Sequence, residues 1–115
     1  MSQQYKRRTF DEARELALSS FRSLAPQHFS SDELEEVRQR GMFTGGTIGD
    51  GWEGLLGHAP EERMYYEFQL YLPSPQCPYI EKCFARILVT RDRASDAVHI
   101  LWRPPVPEYR GPHFE

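Results

Sequence analysis

Met64-Tyr-Tyr-Glu-Phe-Gln-Leu-Tyr-Leu72 alternates strictly between two characters. Met64, Tyr66, Phe68, Leu70 and Leu72 fall on one side, and Tyr65, Glu67, Gln69 and Tyr71 on the other. A period of two marks a β-strand with one face in a core and one face toward water. Two later segments divide in the same way. A strand over 83–91 would send Cys83, Ala85, Ile87 and Val89 inward and Phe84, Arg86 and Leu88 outward. A strand over 97–103 would turn Val98, Ile100 and Trp102 in and His99, Leu101 and Arg103 out. These readings predict an antiparallel sheet with one open face.

Upstream of the sheet the period changes. Phe10, Ala13, Leu16, Ala17, Phe21 and Leu24 recur at helical spacing until Pro26. Thr9 and Glu12 form a capping box at the start of that helix. A second, shorter helix follows Ser30, with Glu33 completing its box, Phe29 and Leu34 placed as a hydrophobic staple, and Gly41 at its end. Seven of the eight glycines then lie between Gly41 and Gly57. Asp50-Gly51 suits a tight hairpin turn, so short strands are expected over 43–48 and 52–56. Helices followed by consecutive strands give an α+β domain rather than alternating βαβ units. The expected architecture is two N-terminal helices followed by a curved antiparallel sheet of about five strands, packed on the first helix. Residues 1–8 read as a tail, 9–103 as one domain, and 104–115 as a proline-rich C-terminal tail.

Composition narrows the function. A chain of 115 residues can bury a core without disulfides or metals. Hydrophobic content of 39% and charged content of 27% are globular values. The net charge of −3 argues against a broad phosphate-binding surface, so nucleic acid is not expected as a partner. The aromatic sheet face could stack single-stranded RNA, but the glycine-aromatic pattern of that recognition is missing. No secretory signal and no membrane-length apolar span are present, which predicts a cytoplasmic protein that does not enter membranes and keeps Cys77 and Cys83 as thiols.

Motifs for chemistry do not hold up in context. Gly49-x-Gly51-x-x-Gly54 matches a dinucleotide fingerprint by letter, but His58-Ala59-Pro60 leaves no room for the helix that must follow. The five-residue gap between Cys77 and Cys83 fits structural zinc poorly. His28, His58, His99 and His113 are scattered, and no serine sits in a nucleophile elbow. No catalytic residue, metal ligand or cofactor site is expected.

The open sheet face remains as the leading candidate surface. It would present Tyr65, Glu67, Tyr71, Phe84, Arg86 and Arg103, a mixture favoured at interface centres. Asp32, Glu33, Glu35 and Glu36 on the second helix would add an acidic patch able to steer a basic partner. An alternative is a ligand pocket between the first helix and the sheet, near Trp52, His58 and Tyr66.

The order of long helix, short helix, glycine-rich segment and a meander ending Ile87-Leu-Val-Thr-Arg-Asp-x4-Ala-Val-His-Ile-Leu-Trp102 resembles small bacterial NTF2-like and cystatin-like domains. Immunity proteins of polymorphic toxins include many of this build. The resemblance implies a non-enzymatic protein-binding domain, with neutralisation of a basic toxin by steric occlusion as its most concrete form. A small NTF2-like enzyme or ligand binder and a structural homodimer are the alternatives.

Overall fold

The computed structural model describes residues 7–49, 51–76, 80–93 and 98–105. Helix α1 spans Phe10–Leu24, and a 3-10 turn over Ala25–Gln27 carries the chain to helix α2, Ser31–Arg40. Strand β1 is Met42–Gly46, followed by a one-turn helix α3, Glu53–Leu56, and a 3-10 turn at Glu62–Met64. Strands β2 (Tyr65–Pro73), β3 (Ile80–Thr90) and β4 (Val98–Trp102) complete an antiparallel sheet in the order β1-β2-β3-β4. The α+β architecture is as expected, with four strands among the described residues where about five were anticipated. The missing strand is 52–56, which coils into α3. Asp50 of the expected Asp50-Gly51 turn, Cys77, Tyr109 and Phe114 lie outside the described residues.

Both predicted helix starts are closed by reciprocal hydrogen bonds. Glu12 N donates to Thr9 Oγ1 at 3.1 Å while Thr9 N donates to Glu12 Oε1 at 3.0 Å. Glu33 N donates to Ser30 Oγ at 3.2 Å and Ser30 N to Glu33 Oε1 at 3.0 Å. Each box satisfies two main-chain donors that the helix geometry leaves unpaired. Gly41 ends α2 in an extended conformation, φ −66°. Glycine is required there by close approach, because a Cβ would lie 2.3 Å from Val37 O.

The core lies between α1 and one face of the sheet. Ala13, Ala17 and Phe21 of α1 meet Phe68, Leu70, Leu72, Ile87 and Val89, with Val98, Ile100 and Trp102 packed alongside. The two alanines let the helix lie close to the strands, and Phe21 reaches the Trp102 ring at 5.6 Å. The inward set read from 64–72 holds except at Met64, which precedes the strand and is exposed.

One irregularity changes what faces outward. Leu70 pairs with Ala85, but the next residue, Tyr71, pairs with Cys83. Phe84 is therefore the extra residue of a β-bulge, and an extra residue reverses the alternation beyond it. Phe84 is fully buried on the helix side, 5.3 Å edge-on to Phe29, and Lys82 lies over its ring at 5.1 Å. The expectation that Phe84 faces outward and Cys83 inward is corrected on this ground: Cys83 sits beside Tyr71 on the second face.

Arg7 and Arg8, assigned from sequence to a tail, reach the end of β3. Arg7 bridges Asp92, Arg8 N donates to Arg91 O at 2.6 Å, and Arg8 Nη1 donates to Thr90 O at 2.6 Å.

Candidate functional site

The second sheet face is not open. The segment that follows β1 folds over it and inserts Trp52, which is fully buried. Trp52 Nε1 donates to Glu67 Oε2 at 2.5 Å, and Gly49 N approaches the same oxygen at 3.4 Å. Arg86 Nη2 donates to both Glu67 oxygens at 2.9 and 3.1 Å, with its guanidinium 5.4 Å from the Trp52 ring centre. Glu67 is 1% exposed. Burying a carboxylate is tolerable only with a cation and further donors in place, and both are supplied here. Glu67 and Arg86 thus fasten a glycine-rich strap to the sheet and do not present charge to a partner. Sequence reasoning missed this cluster. Its only trace was an indole in a polar, glycine-rich stretch, which needs a buried acceptor.

The remaining predicted face residues scatter. Tyr65 and Tyr71 are half-buried at opposite ends of β2, with Glu67 and Gln69 between them. Tyr65 lines a cleft of about 420 Å³ with Arg7, Arg63 and Arg91. Arg103 leaves the sheet altogether. Its backbone adopts φ +50°, and its side chain swings to the helix side. There it donates to Glu33 Oε1 and Oε2, both at 3.0 Å, and to His28 O at 2.8 Å. The continuous aromatic platform expected from Tyr65, Tyr71, Phe84 and Arg103 does not form. The alternative pocket fails as well. Trp52 and Tyr66 lie on opposite faces of the sheet, Tyr66 donating to Arg8 O at 3.1 Å, while His58 is exposed beside Ala59 O at 3.1 Å.

The acidic helix start survives with a division of labour. Glu33 faces the sheet, accepting from Lys82 Nζ at 2.9 Å as well as from Arg103. The Arg103 guanidinium, the Ser30 backbone N–H and Lys82 hold the Glu33 carboxyl far below the usual carboxylate range. Asp32 and Glu35 are exposed on α2, and Glu36 is half-buried with its side chain 43% exposed. Glu35 is chelated by Arg38 at 2.5 and 3.1 Å, which also depresses its pKa, and Glu36 lies 3.5 Å from Arg40. Helix α1 opens in the same manner, with Asp11 and Glu15 exposed and Glu12 tied to Arg93. That contact and the Thr9 backbone N–H bring the Glu12 pKa from 4.5 down to about 2. Asp11 and Asp32 have no cationic partner among the described residues. Of the first-turn acids of α1, Glu12 was read only as a cap partner and Asp11 was not singled out.

Two helix N-termini therefore display carboxylates whose neighbours are fixed by caps and by ion pairs to the sheet. Residues 7–104 match the family model described as "Protein of unknown function, DUF440". The chain belongs to that family. A Vibrio vulnificus protein is 26% identical to the DUF440 chain over 99 residues, covering 83% of this chain and 93% of its own length. It carries the name "Putative double-stranded DNA mimic protein". Proteins of Vibrio cholerae, 23% identical, and Photobacterium profundum, 22% identical, carry the same name over 83% of this chain and 93% and 92% of their own lengths.

These relatives overturn the functional expectation. A non-enzymatic protein-binding domain that neutralises a basic toxin was expected, with an enzyme or ligand binder and a structural homodimer as alternatives, none with reference to DNA. The exclusion of nucleic-acid recognition also needs correction, since the relatives are named for double-stranded DNA, as its mimics. The net charge of −3 was read only as evidence against binding nucleic acid, and not as a charge that a protein named for imitating DNA would itself carry. Among the described residues, no helix is long and apolar enough to cross a membrane.

Proposed function

We propose that this chain imitates the charge of double-stranded DNA toward a DNA-binding protein, using the acidic starts of α2 and α1. The observation that carries the reading is the kinship with relatives bearing the DNA-mimic name along most of this chain. The geometry agrees with it. A mimic must hold negative charges at fixed spacing, because a duplex is a stiff array with a charge every few ångströms. Asp32 and Glu36 are one helical turn apart, about 6 Å between their β-carbons. The helix that carries them is fastened to the sheet through Glu33, Lys82 and Arg103. Glu33 thus anchors the array while its neighbours are displayed. The displayed charge is modest, in keeping with the net −3. It suits a partner that reads a short stretch of duplex and not one that wraps a long one. We place the protein in the cytoplasm, where such partners work.

A competition assay tests this. Immobilised protein is incubated with host extract, and bound material is challenged with a short duplex oligonucleotide. Retained proteins should be released by duplex, should bind DNA once purified, and should not be retained by an Asp11→Lys, Asp32→Lys, Glu36→Lys variant. Retention that duplex cannot reverse, or that the triple variant keeps, refutes the reading.

A further inference from the structure

The groove between α1 and α2 has the opposite electrostatic character to the helix starts. It is a cleft of about 480 Å³ with a floor formed largely by Phe21, Leu34, Val37, Phe43 and Leu70. Its only charged lining residues among those described are Arg14, Arg22 and Arg38; no carboxylate lines it. Arg22 has no acidic partner among the described residues. Arg14 is held over the Phe43 ring at 5.3 Å and touches Glu15 only at 3.8 Å. In a chain with net charge −3, charged lining made of arginine alone around an apolar floor is a local change of sign, although Arg38 is paired with Glu35 just outside the groove. A basic DNA-binding surface would be repelled here.

We propose that this groove docks an acidic amphipathic helix of a partner protein. An apolar stripe at i, i+3/i+4 and i+7 would enter the floor, as helices do in hydrophobic grooves. Flanking glutamates would meet the guanidiniums, which bind carboxylates in fork geometry. Arg14 and Arg22 stand on α1, and Arg38 on α2, so glutamates on both edges of the incoming helix find a partner. Arg38 would have to release its exposed bidentate contact with Glu35 to meet an incoming carboxylate, so Arg14 and Arg22 carry the recognition. The site is separate from the acidic helix starts and does not depend on DNA mimicry.

A direct test uses a fluorescein-labelled peptide of about 14 residues, long enough for marginal helicity, with leucines at helical spacing and glutamates elsewhere. A control peptide carries lysines in place of the glutamates. Fluorescence anisotropy should show saturable binding of the acidic peptide with a Kd of order 10 µM, and at least tenfold weaker binding of the lysine peptide. Arg14→Glu with Arg22→Glu should weaken the acidic peptide at least tenfold and strengthen the lysine peptide. Both substitutions are at the rim, and unchanged thermal unfolding confirms that the variant folds. If it does not, Arg14→Gln with Arg22→Gln takes its place, with the same loss for the acidic peptide. Amide shifts in nitrogen-proton NMR spectra should centre on Leu18, Phe21 and Val37. No saturation by 1 mM acidic peptide, equal binding of both peptides, or indifference to the arginine substitutions overturns the proposal. Asp32→Lys, which removes charge from the mimic surface, should leave peptide affinity within twofold.

Discussion

Replacing Glu67 by alanine tests whether a buried ion pair fastens the glycine-rich strap. The carboxylate is 1% exposed and accepts from four groups at once: Arg86, the Trp52 indole and, more loosely, the Gly49 amide and the Gln69 side chain. Removing it takes the Glu67 carboxylate away from the Arg86 guanidinium, on a side chain only 16% exposed. It also leaves a buried indole N–H with no acceptor. Breaking one half of a buried pair costs about 3–5 kcal/mol. A domain of this size has about 5–15 kcal/mol in all, so the variant should be severely weakened but still able to fold. With an m-value of about 2 kcal/mol per molar, the urea midpoint should fall by about 2 M. The strap should loosen before the core does. In a Trp102→Phe background, Trp52 emission should shift to the red at urea concentrations where far-ultraviolet circular dichroism is unchanged. The decisive comparison is Glu67→Leu with Arg86→Met, which removes both charges. Apolar replacement of an entire buried pair is often neutral, so the double variant should recover most of the loss, with a coupling of about 2 kcal/mol or more. A Glu67→Ala midpoint within about 0.5 M of the parent, at the m-value expected for its size, would refute the reasoning. So would a double variant no better than the single one.

Three other outcomes are expected. Gly45 lies under the Phe10 ring, with a would-be Cβ 2.6 Å from Cζ and 2.7 Å from Cε2; Gly45→Val should displace that ring from Phe68 and cost about 1–3 kcal/mol, read from urea unfolding. Glu12 has a pKa lowered from 4.5 to about 2 by Arg93 and the Thr9 N–H. A carboxyl depressed in the folded state stabilises above its unfolded pKa and loses that contribution as pH falls through its folded value. The urea-midpoint gap between the parent and Glu12→Gln should therefore be constant above about pH 5.5, narrow from 4.5 toward 2, and shrink with added salt because the pair is exposed. Burial raises the Cys83 pKa against the pull of Arg86, so in a Cys77→Ser background the native protein should not react with a disulfide reagent at pH 8, and should do so at once in urea.

The sequence was most readable where local chemistry decided the outcome. Thr9 with Glu12 and Ser30 with Glu33 announce helix starts through the hydrogen bonds they make. The apolar set Tyr66, Phe68, Leu70 and Leu72 announces a core face. Reading failed where a single backbone event redirected everything after it. Cys83, Phe84 and Ala85 are all apolar, so nothing in their order shows that Leu70 and Tyr71 face Ala85 and Cys83, with Phe84 squeezed between. Arg103 adopts a positive φ that side chains other than glycine and asparagine seldom take, and one such residue turned an outward arginine into the clamp on Glu33. Trp52 looked like a strand residue after a tight turn. Its burial depends on Glu67 and Arg86, partners that only the folded sheet brings to it.

These failures share a consequence for function. Each residue taken from the supposed sheet platform was taken by the fold itself: Phe84 for the core, Glu67 and Arg86 for the strap, Arg103 for the joint between α2 and the sheet. Around α1 and α2 the helix starts and the groove between them differ in sign, although Arg38, Arg40 and Arg93 are each paired with a carboxylate there. Carboxylates crowd the starts of α1 and α2, where the helix dipole favours them. Arginines rim the groove between the same two helices. The dipole does part of this sorting, since Arg22 and Arg38 lie in last turns, where positive charge is favoured in its turn. Arg14 is the exception. It sits mid-helix, with no dipole to favour it, and still lies over Phe43 at the groove edge. If helix propensity alone explained the pattern, substituting Arg14 would alter nothing but a weak ring contact. If the groove is a receptor for acid, Arg14 is the rim residue whose loss should be felt in binding and not in folding.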